Sequence, residues 1–193
     1  IFAFLKKEGL VLFDLNSATE KIYTNVSRYD YSADGQYLVT LENASRLVVR
    51  KNGATLEHIE NVTAYEWNND KTKLVYTIAE NGKGLFGYLS FKNTFSKQQI
   101  LKPTAQTFKD IKWQLNGNSV AFYGVDKGNE GVYYYDFVTN KLFTLKSSDA
   151  TFPFKMKIAP DQNIALKVSR DGKKVFFGIT NVAAKDTTGY STG

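Results

Sequence analysis

Tyr29-Asp30-Tyr31-Ser32-Ala33-Asp34-Gly35-Gln36-Tyr37-Leu38 runs from an apolar–x–aromatic strand end, through a polar turn with an aspartate, into an apolar strand. The same plan returns as Tyr65-Glu66-Trp67-Asn68-Asn69-Asp70-Lys71-Thr72-Lys73-Leu74 and as Ile111-Lys112-Trp113-Gln114-Leu115-Asn116-Gly117-Asn118-Ser119-Val120. The anchoring aromatics Tyr31, Trp67 and Trp113 stand 36 and 46 residues apart. One strand–turn–strand signature per roughly 40–45 residues is the period of a β-propeller blade. The expected fold is all-β, with blades of four antiparallel strands.

Working outward from the first copy, the blade strands fall at Arg28–Tyr31, Gln36–Glu42, Arg46–Lys51 and Thr55–Ile59, with Asn52-Gly53 as a two-residue hairpin turn. The next unit has strands at Ala64–Trp67, Lys73–Ile78, Leu85–Phe91 and Lys97–Leu101, and the third at Lys109–Trp113, Ser119–Gly124, Gly131–Phe137 and Lys141–Leu145. Before them, Phe2–Lys6, Gly9–Leu15 and Lys21–Tyr23 read as three strands of a partial unit that lacks its innermost strand. After them, Ser169-Arg170-Asp171-Gly172 repeats the turn phrase, and Ala159-Pro160-Asp161-Gln162 offers a second turn of similar type; the sequence leaves open which of the two opens the last unit. That unit lacks its outer pair.

The expected organisation is a propeller segment over 1–182, with blades at 1–25 (partial), 26–61, 62–103, 104–150 and 151–182 (partial), followed by a loop or tail over 183–193. Three full and two partial blades make an incomplete propeller. An open array leaves two blade faces uncovered, so the natural protein is expected to have more blades, and the segment alone is expected to self-associate through its open faces. No stretch carries apolar residues at helical spacing with caps. Val132-Tyr133-Tyr134-Tyr135-Asp136-Phe137 is apolar almost throughout, as a strand covered on both faces requires.

The composition agrees with this. The chain has 193 residues, 42% of them hydrophobic, with 14 Phe and 12 Tyr, which suit a pleated, half-buried surface. Its net charge is +6, but lysines such as Lys6, Lys51, Lys71, Lys83, Lys127, Lys141 and Lys173 are scattered through turns. A basic patch rather than a basic total marks nucleic-acid binders, so no nucleic-acid partner is expected. There is no cysteine, which excludes thiol catalysis, zinc–thiolate sites and disulfides. No apolar run approaches the ~20 residues of a membrane span. The opening Ile1-Phe2-Ala3-Phe4-Leu5-Lys6-Lys7 is too short and wrongly charged for a signal peptide, and the chain, which begins without Met, reads as part of something longer.

Residue patterns that carry chemistry are weak. Gly189-Tyr190-Ser191-Thr192-Gly193 matches Gly-x-Ser-x-Gly, but no apolar strand precedes it, as a nucleophile turn requires. His58, the sole histidine, lies in a predicted outer strand and reads as a surface residue. The Asp126–Glu130 loop lacks calcium-hand spacing. The sequons at Asn25, Asn43 and Asn61 are expected by chance in an Asn/Ser/Thr-rich chain. Asp34, Asp70, Asp161 and Asp171 are read as turn-forming aspartates, whose carboxylates accept from nearby backbone amides. Trp67 and Trp113 are read as core residues. No catalytic, metal or cofactor-binding residue is assigned, and no cofactor is expected.

The phrases Tyr31–Leu38 and Val168-Ser169-Arg170-Asp171-Gly172-Lys173-Lys174-Val175-Phe176-Phe177 resemble the Ser-Pro-Asp-Gly-Lys-apolar repeat of TolB-like propellers and of the prolyl-oligopeptidase family of serine peptidases. Phe176-Phe177-Gly178-Ile179, followed by Lys185-Asp186-Thr187-Thr188, and the unit Leu10–Lys21 are similar to the N-terminal region of large bacterial members of that family. The resemblance implies a non-catalytic propeller that caps an α/β-hydrolase domain and gates its active site. The hydrolase domain would lie downstream, in a periplasmic or secreted bacterial protein. The Asp-Trp-x-Tyr-Glu-Glu motif of dipeptidyl peptidases is missing, and no functional residue carries over. The alternative is a self-standing TolB-like module that binds a protein or peptide.

Overall fold

The computed structural model describes residues 1–126, 128–161 and 164–182. All of its regular elements are strands. The first sheet is β1 (Phe2–Lys6), β2 (Gly9–Asp14) and β3 (Thr19–Thr24), in that order. Three four-stranded antiparallel sheets follow. They are β4 (Val26–Tyr31), β5 (Tyr37–Glu42), β6 (Arg46–Lys51) and β7 (Ala54–Ile59); then β8 (Val62–Trp67), β9 (Lys73–Glu80), β10 (Lys83–Ser90) and β11 (Ser96–Thr104); then β12 (Thr107–Trp113), β13 (Ser119–Val125), β14 (Gly131–Asp136) and β15 (Lys141–Lys146). In each, sequential strands are spatial neighbours. Four consecutive meandering strands per unit, repeated side by side, are propeller blades, and no sheet closes into a barrel.

The last unit consists of two short ladders, β16 (Met156–Ile158) with β19 (Ile179–Asn181) and β17 (Lys167–Val168) with β18 (Val175–Phe176). Their registers nest: Ile158 faces Ile179, and Lys167 faces Phe176. They are therefore one hairpin, interrupted by an excursion between Ile158 and Lys167. The Ser169–Lys174 turn closes its tip, and Ala159-Pro160-Asp161 starts the excursion. This resolves which turn belongs to the repeat: Asp161 is not a repeat aspartate.

The core is laminated between sheets. Leu10, Val26 and Leu38 pack the first sheet on the second, and Val39, Val49, Tyr65 and Leu74 pack the second on the third. Val75, Phe86, Phe108 and Phe122 join the third to the fourth, and Ala121, Tyr123, Ile158 and Leu166 join the fourth to the last unit. A middle blade must feed both neighbours, which is why its strands are apolar at successive positions. In β14, Tyr133 enters one core and Val132 the next.

The first strand of every full blade bulges against the second, with register shifts at Val26/Arg28, Val62/Ala64 and Lys109/Lys112. Bulges increase twist, and one in the first strand of every full blade marks them as part of the repeat. Asn25 and Asn61, just before β4 and β8, adopt φ of 57° and 56°, a left-handed conformation that asparagine tolerates better than most residues. At the hairpin between β6 and β7, Asn52 and Gly53 both have positive φ (50° and 80°), the geometry of a type I′ turn.

Candidate functional site

Four turns between first and second strands share one construction. In the first full blade, Ser32 N–H donates to the Tyr37 carbonyl at 3.0 Å, and Gly35 N–H donates to the Ser32 carbonyl at 2.9 Å. Ser32 Oγ donates to Asp34 Oδ1 at 2.6 Å and accepts from Tyr37 N–H at 3.0 Å. Gln36 N–H also donates to Asp34 Oδ1. Ser169, Asp171, Lys173 and Lys174 reproduce the set at 2.6, 3.1 and 2.9 Å. The second copy replaces serine with Asn68, whose Oδ1 accepts from Lys73 N–H at 2.8 Å, while Thr72 supplies the hydroxyl to Asp70 at 2.6 Å. The third has Gln114 and no aspartate; there Ser119 Oγ donates to Gln114 Oε1 at 2.7 Å.

These bonds hold the carboxylates charged. The Ser32 hydroxyl and then the Gln36 amide lower the pKa of Asp34, and the Ser169 hydroxyl and then the Lys173 amide lower that of Asp171. At Asp70, burial pushes upward, but the hydroxyl and amide of Thr72 with the nearby Lys73 charge outweigh it. The aspartates are structural acceptors.

The turns are also tied to one another. Ala33 N–H donates to the Lys71 carbonyl at 3.1 Å, and Lys71 Nζ reaches Asp30 at 2.6 Å. Asn69 donates to Asn116 at 2.6 Å, and Gln114 Nε2 to the Arg170 carbonyl at 2.9 Å. Tyr134 OH adds a bond to the Gly172 carbonyl at 2.7 Å. One end of the array is thus a continuous collar of four linked turns.

A cleft of about 360 Å³ opens beside this collar, between the first sheet and the first full blade. Its walls include Leu12, Tyr23, Tyr31 and Leu38, and its charged groups are Asp14, Lys21 and Arg50. Arg50 is 9% exposed; its Nη1 donates to Thr40 Oγ1 at 2.8 Å and pairs with Glu42 Oε1 at 2.7 Å. The guanidinium lies 4.3 Å from the centre of the Tyr23 ring, and Lys21 Nζ lies 5.1 Å from it. Tyr23 OH is buried and has no hydrogen-bond partner among the described residues. Burial raises the Tyr31 phenol above its ordinary value. Asp14 is held ionised by the amides of Asn16 and then Ser17.

The other sequence candidates do not converge. His58 is exposed on β7, on the rim of a different groove with Lys97 and Glu80. Asp161 pairs with Lys109 across the excursion in the last unit. Asp126 closes a turn through its carbonyl, which accepts from Asn129 N–H at 3.0 Å. Trp67 is buried and tilts on Phe91 at 4.8 Å, whereas half-buried Trp113 stacks on Phe137 at 5.2 Å. Ser191 and its Gly-x-Ser-x-Gly context lie outside the described residues. No group of three or more His, Cys, Asp or Glu able to hold a metal ion occurs among the described residues. No helix there is long and apolar enough to cross a membrane. The cleft residues Lys21, Tyr23 and Arg50 were not singled out by sequence, and Tyr31 only as a strand-end anchor; the signal for the cleft is a break in the repeat, at Arg50 and Asn52.

No model of a known protein family matches the chain, and no curated protein matches it. Among solved structures it is similar to TolB from Acinetobacter baumannii, at 13% identity over 87% of this chain and 42% of that one, with a TM-score of 0.47. It is similar to the β-propeller domain of the Trilobed protease from Pyrococcus furiosus, at 12% identity over 73% and 48% of the two chains, with a TM-score of 0.48. A putative TolB from Agrobacterium tumefaciens matches at 14% identity over 86% and 59%, with a TM-score of 0.44. The chain therefore spans less than two thirds of each of these structures. Its own sheets and turns make it an array of β-propeller blades.

Proposed function

We propose that these blades are a non-catalytic propeller segment that caps a serine peptidase domain of the α/β-hydrolase type, located downstream in the same protein, and gates substrate access to it. The observation that carries this reading is the collar. Two of its four linked turns, at Ser32 and at Ser169, have the phrase that resembles the prolyl-oligopeptidase propellers, and the side chains of all four are spent on holding the turns together. A collar bonded from blade to blade resists splaying, so a passage through it selects substrates by width. By the same resemblance, we propose that the protein works outside the cytoplasm of a bacterium.

The test uses the full-length protein encoded by the gene that contains this chain. A fluorophosphonate probe is expected to label a serine outside residues 1–193, and short peptides are expected to be cleaved while folded proteins are spared. Lys71→Ala, which removes a collar ion pair, is expected to relax that size limit. A full-length protein with no labelled serine overturns the reading.

A second reading, a TolB-like module that binds a protein or peptide, is favoured by the open cleft beside the collar. Ligand binding at that cleft by a full-length protein that carries no reactive serine selects it.

A further inference from the structure

The repeat shows what is missing at the cleft. Registers align the third strands of the full blades: Arg50 faces Leu38, Leu89 faces Leu74 and Tyr135 faces Val120. Two residues further on stand Asn52, Phe91 and Phe137. Phe91 lies 4.8 Å from Trp67 of its own blade and 5.4 Å from Tyr37 of the preceding one. Phe137 lies 5.2 Å from Trp113 and 5.0 Å from Tyr88 in the same relation. Each phenylalanine thus fills the wedge between its blade and the blade before it. In the first full blade the wedge has no such ring. Asn52 begins the tight hairpin with Gly53, the anchor is Tyr31 in place of tryptophan, and the cleft lies there.

The same alignment shows a change of chemistry. Where the other blades bury Leu89 and have Tyr135, this one places Arg50. Both bonds of Arg50 leave from Nη1; no bond among the described residues uses Nε or Nη2. Lys21, on the facing sheet, is exposed and makes a single long bond, 3.4 Å to the Gly53 carbonyl. Of the carboxylates nearby, Glu42 is committed to Arg50, and Asp14 Oδ1 accepts from two backbone amides. The cleft therefore combines an aromatic-sized gap, tyrosine walls and two cations with donors to spare. Its volume is at the small end of ligand sites.

We propose that this cleft binds an aromatic ring with a carboxylate beside it. The ring takes the place that Phe91 and Phe137 occupy in the other blades, against Tyr31 and Leu12, and the carboxylate meets Lys21 and Arg50. A charge-assisted bond to a guanidinium or ammonium in a half-enclosed site is stronger than one between neutral groups. The chemistry fits the C-terminal aromatic residue of a peptide or a free aromatic acid. It does not depend on a peptidase domain, so it stands or falls separately from the gating reading.

The experiment titrates the full-length protein that contains this chain with N-acetylphenylalanine, its carboxamide, a short peptide ending in Phe and the same peptide with Phe internal, following backbone amide shifts by NMR. Saturable shifts at Gly35, Gln36 and Gly53 are expected for the acid or for the Phe-terminated peptide, and the stronger of these two identifies the source. The carboxamide and the internal peptide are expected to bind about tenfold more weakly. Lys21→Gln, an exposed change that leaves the fold intact, is expected to weaken the acid about tenfold and leave the carboxamide unchanged. Leu12→Phe, which fills the gap, is expected to abolish saturation by all probes. Equal affinity for acid and amide, insensitivity to Lys21→Gln, or no saturation by any probe overturns the proposal. So does binding that survives Leu12→Phe in a folded variant.

Discussion

The indole N–H of Trp113, at the end of β12, donates to the carbonyl of Glu66, near the end of β8, at 3.1 Å. The two residues sit on the first strands of adjacent blades, so the bond is a direct tie between blades where the sheets converge. Trp113→Phe keeps a ring against Phe137 and removes the donor together with part of the indole's packing surface. It is expected to cost at least about 1 kcal/mol, the usual net worth of such a bond, read as a lower urea midpoint with an unchanged slope.

Phe86 and Phe122 stack at 3.7 Å with planes 6° apart, and both are fully buried between the third and fourth sheets. Phe122→Leu is expected to destabilise by about 1–2 kcal/mol, and Phe122→Ala by about 3–5 kcal/mol through the cavity it leaves. Chemical denaturation of the two variants checks the order and the gap between them. Equal costs would mean that the site collapses around the smaller residue.

Arg50 and Glu42 form a largely buried pair, and the second full blade places Leu89 and Ile78 at the corresponding positions. Arg50→Leu alone strands a carboxylate and is expected to cost about 3–5 kcal/mol. Adding Glu42→Ile is expected to recover most of that loss, because a well-packed apolar pair replaces a broken ionic one. A double-mutant cycle measures the coupling; simple additivity would show that the pair does not act as a unit.

Asp34, Asp70 and Asp171 are held below the ordinary aspartate value of 3.8 by their turns. The unfolded chain therefore takes up protons before the folded one does. The stabilisation is complete above about pH 5 and is lost as pH falls through the lowered folded values. Stability measured by urea at stepped acidic pH is expected to fall below that point. Asp34→Asn with Asp171→Asn should flatten the fall, since neither asparagine titrates.

The blade pattern was open in the sequence because its determinants are local. Asp34-Gly35 and Asn52-Gly53 fix turns from their own backbone preferences, and alternation assigns strands without reference to a partner. The last unit was less open. Pro160-Asp161 looks like a repeat turn in sequence, yet it lies in an excursion between β16 and β17, because strand pairing from Ile158–Ile179 to Lys167–Phe176 skips it. Pairing at that separation leaves no local signature. The cleft was hidden for a related reason: Arg50 and Asn52 look ordinary in an outward reading of β6, and stand out only when the ladders set them beside Leu89 and Phe91.

By itself, the sequence determined that this chain is built of repeated four-stranded β units, with an Asx or serine turn in each, since turn chemistry and strand periodicity act over a few residues. Only the tertiary structure decided which turns join into a collar, which wedge lacks its phenylalanine and where a buried cation faces the resulting space. Those outcomes depend on which side chains adjacent blades bring together, and contacts between residues 30 to 60 positions apart are set by packing and register.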